Sequence, residues 1–393
     1  MTPLAAVARE LDRVRSPLVG AVLGRSAVLR GAIADPHTRL ALGAVLALVV
    51  ALTTSLAAPT LAFLWAPLVL GIPHVLADVR YLLLNPYRRI ALRPRDALVV
   101  ASLVAFAVIE APQLGAIVVI GAALLTPARR ALMPGRNAMM PAVHALTPST
   151  HALTPSTHAL TPSTHALTPS THALTPSTHA LTPSTHALTP SRVAQRRAAV
   201  LAAAIALACA AWSSPVITSY AIMHAHNVVA LAVLVALARH RRTAWALTGA
   251  ALATTAVILT GALDAVLPMR ALDQLSGYVL PDAAFDAWPT AACARVALTF
   301  VFLQGVHYAV WLRLIPAVVR PHRGMRGFGA SVRALERDCT IPITAIVAAA
   351  ALALPAMAIL GATDAATLRD LYVRLAGGHA YLELAVLARW LSS

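Results

Sequence analysis

Charged side chains are scarce in this sequence. Only 12% of its 393 residues are charged, against about 25% in an average soluble domain. A chain with so little charge cannot cover a folded surface with polar groups, which argues against a soluble globular protein. Hydrophobic residues make up 59% of the chain and the mean hydropathy is +0.74. These values predict an integral membrane protein with the lipid bilayer as its main partner.

Cysteine and acidic residues are also few. The three cysteines, Cys209, Cys293 and Cys339, lie far apart, so they support neither a disulfide framework nor a zinc ribbon. The 15 acidic residues leave a formal net charge of +16. The arginines form short clusters between apolar segments instead of one continuous basic face, which argues against nucleic acid as a partner.

Long apolar runs recur along the chain and predict an all-α, polytopic transmembrane bundle. Two of the ten runs are short, so merging or dropping that pair gives eight spans, and the prediction is 8–10. The runs cover residues 40–58, 60–84, 96–111, 114–127, 198–212, 217–238, 243–267, 293–316, 342–362 and 375–391.

The arginine clusters predict the orientation of these spans. Positive charge collects in cytoplasmic loops, and the clusters fall in alternate connections. Both termini are then expected in the cytoplasm, in a bacterial-type inner membrane. The predicted organisation is a cytoplasmic leader (1–36), spans one to four (37–127), a cytoplasmic linker (128–197) and spans five to ten (198–393).

A tandem repeat, His-Ala-Leu-Thr-Pro-Ser-Thr, fills most of that linker. It begins seven times, at His144, His151, His158, His165, His172, His179 and His186. A proline in every unit removes a backbone donor and clashes with a continuing helix, which predicts disordered chain. Its histidines could bind a transition metal weakly, but a low-complexity linker with no specific role is the favoured interpretation.

Histidines also occur inside four of the predicted spans. His74 and Asp78 are four residues apart, as are His379 and Glu383, so each pair projects from one helical face. His224 and His226 are about 200° apart on a helix, so only one of them should reach a shared site. The fourth position is His307, which has Gln304 one turn earlier as a group that could orient its ring.

Ionisable groups within the bilayer are costly and are expected to face the bundle interior and pair with one another. The sharper hypothesis is a metal site. Imidazole and carboxylate ligands suit iron, zinc or copper. Asp78 or Glu383 would be a ligand, a group that orients a histidine ligand, or a participant in catalysis. The alternative is that each histidine only stabilises helix packing. The candidate nitrogen ligands are His74, His224 or His226, His307 and His379.

The segment Gly71-Ile72-Pro73-His74, with Asp78 four residues further on, resembles a motif of the bacterial Brp/Blh family of membrane carotene dioxygenases. The resemblance covers one helix. It implies a polytopic bundle with histidine-ligated iron between its helices and cleavage of β-carotene to retinal. By the same resemblance, His74 would be an iron ligand and Asp78 its support.

Three functions remain open from the sequence. The first is a metal-dependent oxidoreductase, such as a non-haem iron oxygenase, acting on a lipid-soluble carotenoid or isoprenoid. The second is a proton- or cation-coupled transporter that uses the same polar residues as a relay. The third is a membrane scaffold in which the histidines are structural.

Overall fold

The computed structural model describes residues 2–84, 190–238, 241–266, 273–277, 288–319, 327–339 and 341–392. Helices make up nearly all of this part of the chain, and it contains no strand, so the prediction of an all-α bundle is confirmed. The predicted third and fourth spans and the seven-fold repeat lie outside the described residues.

The helices of the N-terminal part are α1 (Pro3–Gly24), α2 (Ala27–Ala34), α3 (Pro36–Ala57) and α4, which begins at Pro59 and ends at Leu84. Prolines at the first helical positions of α3 and α4 suit these starts, because the first residues of a helix need no intrahelical N–H bond. The remaining helices are α5 (Pro190–Ser213), α6 (Pro215–Leu237), α7 (Arg241–Leu259), α8 (Thr290–Val319), α9 (Phe328–Cys339), α10 (Ile341–Ile359) and α11 (Ala365–Ser392).

Five of these helices are long and apolar enough to cross a membrane: α3, α4, α6, α7 and α8. Shorter apolar stretches, Ala198–Ser213 and Thr344–Ile359, lie within α5 and α10. The predicted last span, 375–391, is the C-terminal part of α11, which starts ten residues earlier than the apolar pattern indicated. Five helices of this length and composition indicate a membrane-embedded bundle, and the total of 8–10 spans stays a prediction.

The helix α8 forms the centre of the bundle. Among the five long helices it is the most buried, and it packs against α3, α6 and α7. Small residues allow the close approach of α3: a Cβ added at Gly305 would lie 3.1 Å from the Cβ of Ala51. His307, one turn from the middle of α8, is therefore surrounded by other helices.

Two helices that carry histidines contain a widened π-helical turn. In α4 one spans Pro67–Gly71 and a second spans Val79–Leu84, and in α8 one spans Val310–Leu314. The turns at Pro67–Gly71 and Val310–Leu314 each include the residue four positions before a proline, Pro73 or Pro316. A proline clashes with the carbonyl of that residue, so the wider turn accommodates the ring. Such turns occur often at functional sites because they shift the side chains that follow.

Candidate metal centre

Four helices each contribute one histidine to a single buried cluster. His74 comes from α4, His226 from α6, His307 from α8 and His379 from α11. All four side chains are buried, with exposed fractions between 0% and 8%. One ring nitrogen from each lies within 4.8 Å of the others. Residues that are up to 305 positions apart in the chain thus meet at one point.

The closest pair of nitrogens belongs to His74 and His379, whose Nε2 atoms are 3.0 Å apart. Metal–imidazole bonds are about 2.1 Å long, so two nitrogens that bind one ion at about 90° are separated by roughly 3.0 Å. The same distance suits an N–H···N hydrogen bond when no ion is bound. The His226 ring lies against those of His307 and His379, with centroid separations of 4.2 and 4.6 Å.

Two buried carboxylates join the histidines. An Nδ1–H of His226 is placed to donate to Oε2 of Glu383 at 2.9 Å. Asp78 Oδ2 lies 3.8 Å from Nε2 of His74 and 3.9 Å from Nε2 of His379. Asp78, Glu383 and His307 also form a second group whose ligand atoms lie within 4.8 Å of one another. The cluster therefore offers six ligating side chains.

Several polar atoms of this cluster make no hydrogen bond of normal geometry within the described part of the chain. They are both ring nitrogens of His307, both carboxylate oxygens of Asp78 and Oε1 of Glu383. Leaving such atoms buried and unpaired costs several kcal/mol for a charged group. A bound metal ion would take the lone pair of one His307 nitrogen and of a carboxylate oxygen, so the donor set fits a metal.

The charges of the cluster lead to the same conclusion. Four neutral imidazoles and two ionised carboxylates carry a charge of −2, which a single divalent cation would neutralise. Neutralisation matters here because Asp78 and Glu383 are 0% and 1% exposed, and an uncompensated buried charge is strongly destabilising. This buried group of histidine, aspartate and glutamate could hold a metal ion.

Tyr372 in α11 contacts the other side of the His74 ring, with its hydroxyl 3.4 Å from Nδ1. For Nε2 to bind an ion, Nδ1 must carry the proton. The tyrosine oxygen is placed to accept a hydrogen bond from this Nδ1–H group. Gly71 makes this contact possible: a Cβ at that position would lie 2.3 Å from Cζ of Tyr372. The glycine of the Gly71-to-His74 motif thus provides the space for the group that orients His74.

Gln304 does not contact His307 in the way suggested by its position one turn earlier. Its Nε2 donates instead to the hydroxyl of Tyr308 at 3.0 Å. The Tyr308 ring lies against His74, with 4.7 Å between the ring centroids. Residues 304 and 308 are one helical turn apart, so their side chains meet on one face of α8. Gln304 therefore orients a tyrosine that packs on the cluster.

His224 lies apart from the cluster. Its Nδ1–H is placed to donate to the backbone carbonyl of Tyr220 at 2.9 Å, and its ring packs against Phe300. The roughly 200° between His224 and His226 places only one of them at the site, and the structure places His226 there. Trp311 is fully buried, with its ring 6.5 Å from that of His307.

A small cavity borders the cluster. It holds about 20 Å³, enough for a water-sized molecule. His74, His226 and His379 line one side of it, and Tyr308 and Tyr372 line another. Apolar side chains, including Met223, Phe300 and Val373, complete the wall. A small reactant in this space would touch three of the four histidines.

Comparison with known proteins gives no further guide to this site. No protein-family model, curated protein or solved structure matches the chain. The resemblance of the Gly71-to-Asp78 segment to the carotene dioxygenases therefore stays a prediction. What the site can do has to be argued from its own geometry.

Proposed function

We propose that this protein is a membrane-embedded, metal-dependent oxidoreductase that acts on a lipid-soluble substrate of the carotenoid or isoprenoid class. The observation that carries the proposal is the convergence of four imidazoles and two carboxylates in one buried cluster at the centre of an apolar helical bundle. The expected location is a bacterial-type inner membrane.

Iron is the metal that we infer, ahead of zinc or copper. A mixed set of imidazole and carboxylate ligands suits iron, and ions of this type bind dioxygen when coordination positions stay open. A bound iron ion would supply the redox step, with dioxygen as the oxidant. The proposed substrate class rests on the position of the site inside an apolar helical bundle and on the resemblance of the Gly71-to-Asp78 segment to the carotene dioxygenases.

The residues of the chain would have distinct tasks. His74, His226, His307 and His379 would hold the ion. Glu383 would accept a hydrogen bond from Nδ1–H of His226 and so keep the Nε2 lone pair free for the ion, as carboxylates do beside many metal-bound histidines. Tyr372 would do the same for His74. The narrow cavity would exclude bulk water and leave room for a small co-substrate.

The proposal can be tested in a bacterial host that accumulates carotenoids. The unmodified chain should lower the carotenoid content of the cells and produce shorter, oxidised isoprenoids in extracts analysed by liquid chromatography. His74→Ala should abolish the products, whereas His224→Ala should retain them, because His224 lies outside the cluster. Unchanged carotenoids with well-expressed, metal-loaded protein would rule out this substrate class.

A proton-coupled transporter is the second candidate, because Asp78 and Glu383 lie close together in the bundle interior. Without an ion, two adjacent buried carboxylates are expected to share a proton, which is a property useful for a relay. Uptake into vesicles that requires a pH gradient and fails in Asp78→Asn would favour this candidate.

A membrane scaffold with structural histidines would instead lose only thermal stability in the histidine variants.

A further inference from the structure

The N-terminal helix α1 has an exposed apolar stripe that no other described helix covers. Val7, Leu11, Val14 and Leu18 follow one another at intervals of four, three and four residues. At 100° per residue they lie within an arc of about 60° on one side of the helix. Their exposed fractions range from 51% to 66%.

The opposite side of α1 is fixed to the rest of the protein. Ala5 and Ala8 are buried, and α1 packs along α9. The carboxylate of Asp12 accepts hydrogen bonds from the backbone N–H groups of Phe328, at 2.8 Å, and Gly329, at 2.9 Å. The rotation of α1 about its axis is thereby set, and the apolar stripe is held facing outward.

The helix α9 in turn attaches this pair to the bundle. Asp338 accepts a hydrogen bond from Nε of Arg80 at 2.9 Å, and Arg80 lies near the C-terminal end of α4. That end of α4 is the one that the arginine clusters predict to face the cytoplasm. The stripe of α1 is therefore held near a membrane boundary and not beyond it.

The charge near the stripe is mostly positive. Residues 1–36 contain five arginines, Arg9, Arg13, Arg15, Arg25 and Arg30, and three acidic residues. At 100° per residue, Arg15 lies about 70° from the middle of the stripe on one side and Arg13 about 130° on the other, whereas Arg9 lies opposite it. An apolar face with basic residues on its two sides is typical of helices that lie in the headgroup region of a bilayer. The cytoplasmic leaflet is anionic and attracts basic residues near its surface.

We propose that the stripe of α1, defined by Val7, Leu11, Val14 and Leu18, inserts into the headgroup region of an anionic bilayer. The helix would then lie in the plane of the membrane beside the spans, with its alanine face on α9. Arg13 and Arg15, on the two sides of the stripe, would contact lipid phosphates. This inference does not depend on the function of the metal centre.

A pair of fluorescent probes on the full chain would test the proposal. The three cysteines are replaced by serine, and a bimane label is attached at Val14→Cys or, as the matched control, at its neighbour Arg13→Cys. The side chain of Arg13 is 77% exposed and lies on another face of α1. The protein is reconstituted in vesicles of phosphatidylglycerol with phosphatidylcholine, or of phosphatidylcholine alone.

Brominated lipid should quench the Val14 probe at least twofold more than the Arg13 probe, and aqueous iodide should show the reverse order. The difference should shrink in vesicles without phosphatidylglycerol. Equal iodide quenching of both probes would overturn the proposal. Protection of the Val14 probe that depends on protein concentration would also overturn it, because it would indicate that a second copy of the chain covers the stripe. Hydrogen exchange of residues 3–24 in the unmodified chain, slower with anionic lipid than without it, provides a check that needs no substitution.

Discussion

Glu383 in the last helix lies 2.9 Å from Nδ1 of His226, a residue 157 positions earlier in the chain. Both side chains are buried, so this hydrogen bond is shielded from water. A carboxylate in this position fixes which nitrogen of the imidazole carries the proton. The remaining nitrogen is then available to a metal ion.

Replacing Glu383 should weaken metal binding without removing a histidine. We expect Glu383→Gln to lower the metal affinity by about 10- to 100-fold, the usual effect of losing a carboxylate behind a metal-bound histidine. Competition with a chromophoric chelator measures this affinity. Asp370→Asn, an exposed carboxylate of the same helix, is the control and should bind as the unmodified chain does. An equal affinity in both variants would show that the hydrogen bond has no role in binding.

Gly71 should not tolerate a side chain. In Gly71→Ala the added Cβ would overlap the ring of Tyr372, 2.3 Å away, and overpacking of this kind costs about 1–3 kcal/mol. We expect a lower melting temperature and weaker metal binding, because Tyr372 would move away from His74. Gly249→Ala in α7 is the matched control, since no atom lies within 4 Å of its added Cβ. If Gly71→Ala melted at the temperature of this control, the close contact would not exist.

Removing the metal should destabilise the protein. An ion that binds only the folded state stabilises it by about 2.7 kcal/mol at a free concentration 100 times its dissociation constant. A strong chelator should therefore lower the melting temperature in detergent, and added ferrous ion should restore it. The shift should vanish in His307→Ala and persist in His224→Ala. A melting temperature that does not respond to chelator in the unmodified chain would contradict metal binding.

Acid should release α1 from α9. The backbone N–H groups of Gly329 and Phe328 lower the pKa of Asp12 below its usual value of 3.8. Because the folded-state pKa is depressed, the carboxylate stabilises the contact above pH 3.8, and this contribution is lost as the pH falls through the lower, folded-state pKa. Hydrogen exchange in α1 should therefore accelerate at acidic pH. Asp12→Asn should show fast exchange already at neutral pH; slow exchange there would argue against this role.

The sequence predicted the helices and most of the candidate ligands, because apolar length and the position of histidines within it are local properties. It left His224 and His226 as alternatives, since a helical pattern shows which residues share a face but not which face meets the other helices. The structure resolves this choice only through packing: His226 faces α8 and α11, and His224 faces Phe300.

Other parts of the site had no sequence signal. Tyr372 lies three residues before the apolar run 375–391 begins, in a stretch with Arg369, Asp370 and Arg374 that looks like a helix end. Its role depends on a close approach to Gly71 in another helix, which only the three-dimensional structure shows. Trp311 lies near the end of the apolar run 293–316, a position typical of interfacial aromatic residues, but packing against His307 buries it.

The central claim is that His74, His226, His307 and His379 hold one metal ion together. Elemental analysis of the full-length protein, purified in detergent after expression with added iron, tests it most directly. We expect about one metal ion per chain in the unmodified protein and in His224→Ala, and a loss of most of that metal in His307→Ala. Folded, unmodified protein that contains no stoichiometric iron, zinc or copper, or equal metal content in the two histidine variants, would contradict the claim.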